Sequence, residues 1–221
     1  MTISPEYDYA QATHSYGFTD VKTVSDRHQQ IMSGKEPDNT GVEMGVIHTR
    51  AVVHLPDAGW IVVDHLATDR PHVITPLWHF HPDCTVECDG QSVVTVDEGV
   101  GNLRIQPIGD ICWEIELVAG REGPDFQGWY SALHDSKVPN TCACYSASID
   151  HSTTLAWVLQ PGKGALSEVT ITRLPAPERA IHLLLTFPAK PPIEVAIRLD
   201  DAIPMCLSNG EPVSGHCAVL V

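Results

Sequence analysis

The chain has 221 residues, enough for one large domain with a sizeable core. Its 28 acidic residues against 13 basic ones give a net charge of −15, which disfavours nucleic acid and anionic membrane surfaces as partners, because phosphate binding needs basic patches. A composition of 43% apolar and 19% charged residues excludes a disordered chain, and no apolar run reaches the ~18 residues that a membrane-spanning helix needs.

In chain order, MTISPEYDYAQATHSYG lacks the basic head and apolar core of a signal peptide. Residues 25–39 are polar and predict a long exposed loop. Period-two alternation then takes over. VIHTRAVVHL (46–55) and GWIVVDHLA (59–67) predict two strands joined by the turn PDAG, and HVITPLWHFH (72–81) predicts a third. TVECDGQSVVTVD predicts a hairpin turning at Asp89-Gly90, and NLRIQPIG and ICWEIELVAG continue the series. After a Gly/Pro break at GREGPDFQG come TCACYSASID, STTLAWVLQP, SEVTITRLP, RAIHLLLTFP, IEVAIRLDD and HCAVLV. No amphipathic helix longer than two turns is visible. Seventeen prolines and sixteen glycines fit many turns. The pattern predicts an all-β fold, an antiparallel β-sandwich with few or no helices, rather than βαβ units. The whole chain, 1–221, reads as one such domain, with AKPP (189–192) as a connection and 189–221 as terminal strands of the same unit.

The seven cysteines are Cys84, Cys88, Cys112, Cys142, Cys144, Cys206 and Cys217. Their odd number and the lack of any CxxC argue against a disulfide framework and a zinc ribbon; mostly buried free thiols are expected.

Candidate chemistry lies in the first three of these strands. Residues two apart share a face of a strand. His48, Arg50, Val52 and His54 therefore point one way, as do Trp60, Val62 and Asp64, and as do Leu77, His79 and His81. If the three strands join one sheet, His48, Asp64 and either His79 or His81 converge, a donor set suited to zinc. Asp64 follows Ile-Val-Val, so it is expected to be buried and to require a metal, a cation or several donors. Arg50 is its non-metal alternative. His54, His65 and His72 read as ordinary polar positions, and His182 as a satisfied core histidine. A cupin reading is poor: His79-x-His81 is followed by Glu87 one place too late, and Val73 stands where the cupin glycine belongs.

HTRAVVHLPDAGWIVVDHL resembles the core of the heparinase II/III-like polysaccharide lyases. HVITPLWHFHP, GWYSALHDSKVPNTCACYS and TTLAWVLQPG resemble the segments that follow it. The similarity spans roughly residues 10–175, all on the side of the family's C-terminal β-sandwich (a "supersandwich"). It implies a lyase that acts by β-elimination on uronic-acid-containing glycans such as glycosaminoglycan or alginate. In that reaction a base removes the C5 proton, the carboxylate is neutralised, and an acid protonates the leaving oxygen. It further implies a structural divalent metal, most simply one zinc, on His48, Asp64 and His79, with His81 as the alternate third ligand. Arg50, Trp78 and Tyr130 are the substrate-binding candidates. The family's catalytic tyrosine and its asparagine or glutamate belong to a helical toroid that this sequence lacks, and Val46 stands where one branch has a catalytic histidine. The catalytic residues are thus unassigned, and the chain is expected to be inactive alone. The partners implied are an acidic polysaccharide or oligosaccharide and the missing N-terminal helical domain, with a homodimer as an open alternative. The family suggests a bacterial periplasmic or secreted setting.

Two rival readings use the same residues. One is a non-catalytic glycan-binding or interaction module, with Trp60, Trp78, Trp113, Trp129 and Tyr130 as stacking candidates. The other is a cupin-like metalloprotein.

Overall fold

A computed structural model describes residues 1–14, 29–35, 46–56, 58–123, 126–166, 169–188 and 190–221. Its centre is an eight-stranded antiparallel sheet. In spatial order the strands are β1 (Thr2–Ile3), β2 (Asp8–His14), β3 (Val46–Leu55), β4 (Gly59–Thr68), β14 (Thr153–Lys163), β9 (Gly101–Ile108), β8 (Ser92–Thr95) and β7 (Val86–Asp89). A second sheet centres on β13 (Cys142–Ile149), flanked by β10 (Glu114–Val118) on one side and by β5 (His72–Ile74) and β6 (Leu77–His79) on the other. A third sheet runs β15 (Thr170–Leu174), β16 (Ala180–Thr186), β17 (Ile193–Arg198), β18 (Cys217–Leu220). A two-stranded hairpin of β11 (Trp129–Tyr130) and β12 (Val138–Pro139) lies beside the second sheet's strand ends, where Asn140 N–H bonds Gly128 C=O. The all-β antiparallel sandwich expected from the alternation is therefore present.

The central sheet is covered on both faces. Ala51, Val53, Ile61 and Val63 pack with Ile181, Leu183, Val195 and Ile197 of the third sheet. Val62, Leu66, Leu155 and Trp157 pack with Trp113, Ala143 and Tyr145 of the second. Burial of both faces is why β4 reads as a nearly unbroken apolar run rather than a strict alternation. Each fully buried Ile or Val in these layers contributes about 1.5–3 kcal/mol of transfer free energy. The terminal strands are thus a third layer of the fold, not an edge of a two-layer sandwich.

The β3–β4 hairpin closes with Leu55 opposite Gly59. Gly59 has φ +111°, and a Cβ there would sit 2.1 Å from the Leu159 carbonyl oxygen, so only glycine lets β14 approach.

Several local expectations change. HVITPLWHFH is not one strand: it breaks at Thr75-Pro76 into β5 and β6, both paired to β13, because proline cannot donate to a ladder. β1 and β2 extend the central sheet at the N-terminus. Within the expected 25–39 loop, residues 29–32 form one helical turn, while 25–28 and 36–39 lie outside the described residues. All seven cysteines are free, but only Cys142, Cys144 and Cys217 are buried; Cys88, Cys112 and Cys206 are exposed. Burial thus holds for a minority of them.

Candidate functional site

The register of β3 on β4 sets Arg50 directly opposite Asp64, and His48 opposite Leu66 one step along the same face. Side chains opposite each other on a sheet face lie within contact distance. Arg50 Nε donates to Asp64 Oδ1 at 2.6 Å and Nη2 to Oδ2 at 3.0 Å, a side-on two-point pair. His48 Nε2 donates to the same Oδ1 at 2.6 Å. Asp64 is 3% exposed, whereas the Arg50 side chain is 46% exposed. A carboxylate is thus buried beneath a half-exposed guanidinium.

The electrostatics follow from this geometry. Burial alone would push the Asp64 carboxyl up, but the hydrogen bonds from His48 and Arg50, with their charge, outweigh it and hold the group below the usual carboxylate range. The bond to Asp64 pushes Arg50 up, against burial. Both stay charged across the neutral range. Arg50 Nη1 has no hydrogen-bond partner among the described residues, which leaves one edge of the fork available to an anion.

The surrounding face is open on one side. β2 continues the sheet beyond β3, with Ala12 opposite Arg50, Ala10 opposite Val52 and Asp8 opposite His54. Asp8, Ala10 and Ala12 are exposed, so the second layer does not reach over this edge. At the far end of β3, His54 lies opposite Trp60; their rings are 5.2 Å apart and tilted by 33°.

His79 and His81 do not join this cluster. β6 belongs to the second sheet, where His79 pairs with Cys142 and its Nε2 lies 3.6 Å from Cys142 Sγ. Its neighbour Trp78 points the opposite way, into the core against Trp157. His79 therefore faces out of the sandwich, away from Asp64. His81 lies farther along, beside Tyr130 at 5.4 Å between rings and 3.5 Å from Asp83. The premise that three strands share one sheet is thus corrected to two strands in one sheet and one in another.

A zinc ion on His48, Asp64 and a third histidine does not fit the described residues. Arg50 and His48 already take both Asp64 oxygens, and no group of three His, Cys, Asp or Glu side chains suited to a metal occurs among the described residues. The substrate candidates are likewise dispersed: Arg50 on the open face, Trp78 in the core, Tyr130 on the outer hairpin.

Other histidines carry structure. His182 Nε2 donates to Glu194 Oε1 at 2.7 Å with both side chains buried, the satisfied core histidine that its sequence context predicts. His65 Nδ1 lies 3.0 Å from Thr154 Oγ1 and is 4% exposed. The His54–Trp60 pair joins a stacking candidate, Trp60, to a position that reads as ordinary in the sequence, His54. Shared parity with Arg50 along β3 was the signal for it.

A multilayered antiparallel sandwich of this kind matches a defined class. The family model described as "Heparinase II/III-like, C-terminal" matches residues 22–164. The chain belongs to the heparinase II/III-like C-terminal domain family. Among solved structures, heparan sulfate lyase HepC from Pedobacter heparinus superposes with a TM-score of 0.62 at 15% identity, over 72% of this chain and 25% of that chain. A heparinase III structure gives 0.54 at 12% identity, over 81% of this chain and 24% of that one. At such identities the likeness is one of fold. The chain spans about a quarter of the length of these structures. No curated protein matches the chain at a significant level.

Proposed function

We propose that this chain is the β-sandwich part of a polysaccharide lyase acting by β-elimination on uronic-acid-containing glycans, and that the open edge of this face, along β2 and β3, forms one wall of its substrate cleft. The observation that carries this is Arg50: a half-exposed guanidinium paired side-on to a buried carboxylate, beside the exposed Ala12 of β2, with no further hydrogen bond to Nη1 among the described residues.

β-Elimination requires that the uronate carboxylate be neutralised while the C5 proton leaves. A pre-oriented arginine supplies a positive, two-donor contact for such a group without reorganising during the reaction. Asp64 sets the orientation, and His48 tightens the carboxylate that does so. Position 46 is valine, which transfers no proton, so the base and acid come from outside these residues, as the helical toroid of the wider family would provide. Among the described residues, His48 and Asp64 have no third ligand for a metal.

Binding of glucuronate-containing oligosaccharides to the 221-residue chain, measured by calorimetry, tests this proposal. Arg50→Gln is expected to abolish binding while the circular dichroism spectrum keeps its strand signature. Undiminished binding by a folded Arg50→Gln chain would remove the cleft assignment. A non-catalytic glycan-binding module would give the same binding but no unsaturated uronate product when joined to a helical lyase domain.

A further inference from the structure

We propose a second saccharide contact at Trp60, so that a linear uronate-bearing oligosaccharide lies along β3 from Arg50 to the His54–Trp60 pair. The proposal rests on the uronate cleft proposed above and extends it to the length of chain recognised.

The geometry supplies two anchors on one face. Arg50 lies opposite Asp64 and His54 lies opposite Trp60, four residues farther along the same strand. Four residues at a rise of about 3.3 Å put the anchors about 13 Å apart, further than one sugar ring reaches. Between them the floor is Val52, with Ala10 and Ala12 beside it on β2, side chains too short to block a chain lying across them. Trp60 is 37% exposed although its strand neighbours Gly59 and Ile61 are buried. Its position is fixed by pairing to Leu159 on one side and to His54 on the other. His54 in turn lies 3.4 Å from Asp8, the one exposed carboxylate among the described residues of this strip.

An exposed indole held rigidly at low entropy cost offers a flat apolar face to the C–H side of a pyranose ring. An arginine at the other end takes a carboxylate.

The test is a length series. Affinities of the 221-residue chain for glucuronate-containing di-, tetra- and hexasaccharides are measured for the wild type, Trp60→Ala and Trp60→Phe. The wild type is expected to gain affinity with length. Trp60→Ala is expected to lose about tenfold on the hexasaccharide, the loss of one aromatic contact, and nothing on the disaccharide. Trp60→Phe is expected to retain most of the gain. If Trp60→Ala binds the hexasaccharide as the wild type does, while Arg50→Gln does not, the second contact falls and the cleft stands. If the wild type binds none of the three, the cleft falls and this contact with it. A dimer that depends on Trp60, seen in place of saccharide binding, would also overturn it.

Discussion

Arg50 and Asp64 are cross-strand partners whose charges meet at 2.6 and 3.0 Å, one half exposed and the other buried. The arrangement is asymmetric. Losing Arg50 leaves a buried carboxylate with only the His48 bond to offset it, whereas losing both charges leaves no buried charge and costs only that His48 bond. Arg50→Ala is therefore expected to destabilise the chain by about 2 kcal/mol, less than a fully buried pair costs because Arg50 meets solvent. The double change Arg50→Met with Asp64→Leu is expected to recover most of that loss. Urea denaturation of the three chains measures both; equal stability of Arg50→Ala and wild type would show that the pair contributes nothing.

Acid sensitivity follows from the same carboxylate and from Glu194. Burial would push Glu194 up, but the Ser208 backbone N–H and His182 outweigh it and hold it below the usual range. Both groups are depressed in the folded state. The unfolded chain therefore takes up protons first as pH falls. The stabilisation is complete above the ordinary carboxylate range and is lost as pH drops through the depressed folded values. Melting midpoints are expected to fall steeply on acidification below that range, and Asp64→Asn with Glu194→Gln is expected to flatten the profile at the cost of lower stability near neutrality. An unchanged acid slope in the double variant would count against this account.

Metal removal is expected to leave the melting midpoint where it was. Arg50 already compensates Asp64, and His79 faces away on another sheet. Thermal melts with and without a chelator, alongside elemental analysis, check this. One zinc per chain, lost together with stability in His48→Ala, would restore the metal assignment.

The cysteines should divide by layer. Burial pushes Cys217 up to about 12, and burial with the neighbouring Cys144 does the same to Cys142. Alkylation depends on the thiolate and on access. Cys88, Cys112 and Cys206 are expected to be modified in the native chain, and Cys142 and Cys217 only after unfolding. Mass spectrometry of peptides from a timed iodoacetamide reaction reads the order; early labelling of Cys217 would contradict the third layer's packing.

The amino-acid order by itself determined most of the long strands, the β3–β4 hairpin and the face that His48, Arg50 and Asp64 share. These depend on period-two alternation and on a turn only four residues long, both local properties of the chain. It also determined that Asp64 needs a partner, since a carboxylate after Ile-Val-Val has no water. The tertiary structure alone decided which partner answered. Alternation says which side chains share a face, but not which sheet a strand joins, because backbone hydrogen bonding is the same for every neighbour. Pro76 breaks the 72–81 segment, and the pieces pair with β13 in the second layer, carrying His79 outward and Trp78 into the core. The third layer was hidden for a similar reason: strands 170–220 carry the same pattern as the rest, and only packing shows that their apolar side closes the far face of the central sheet.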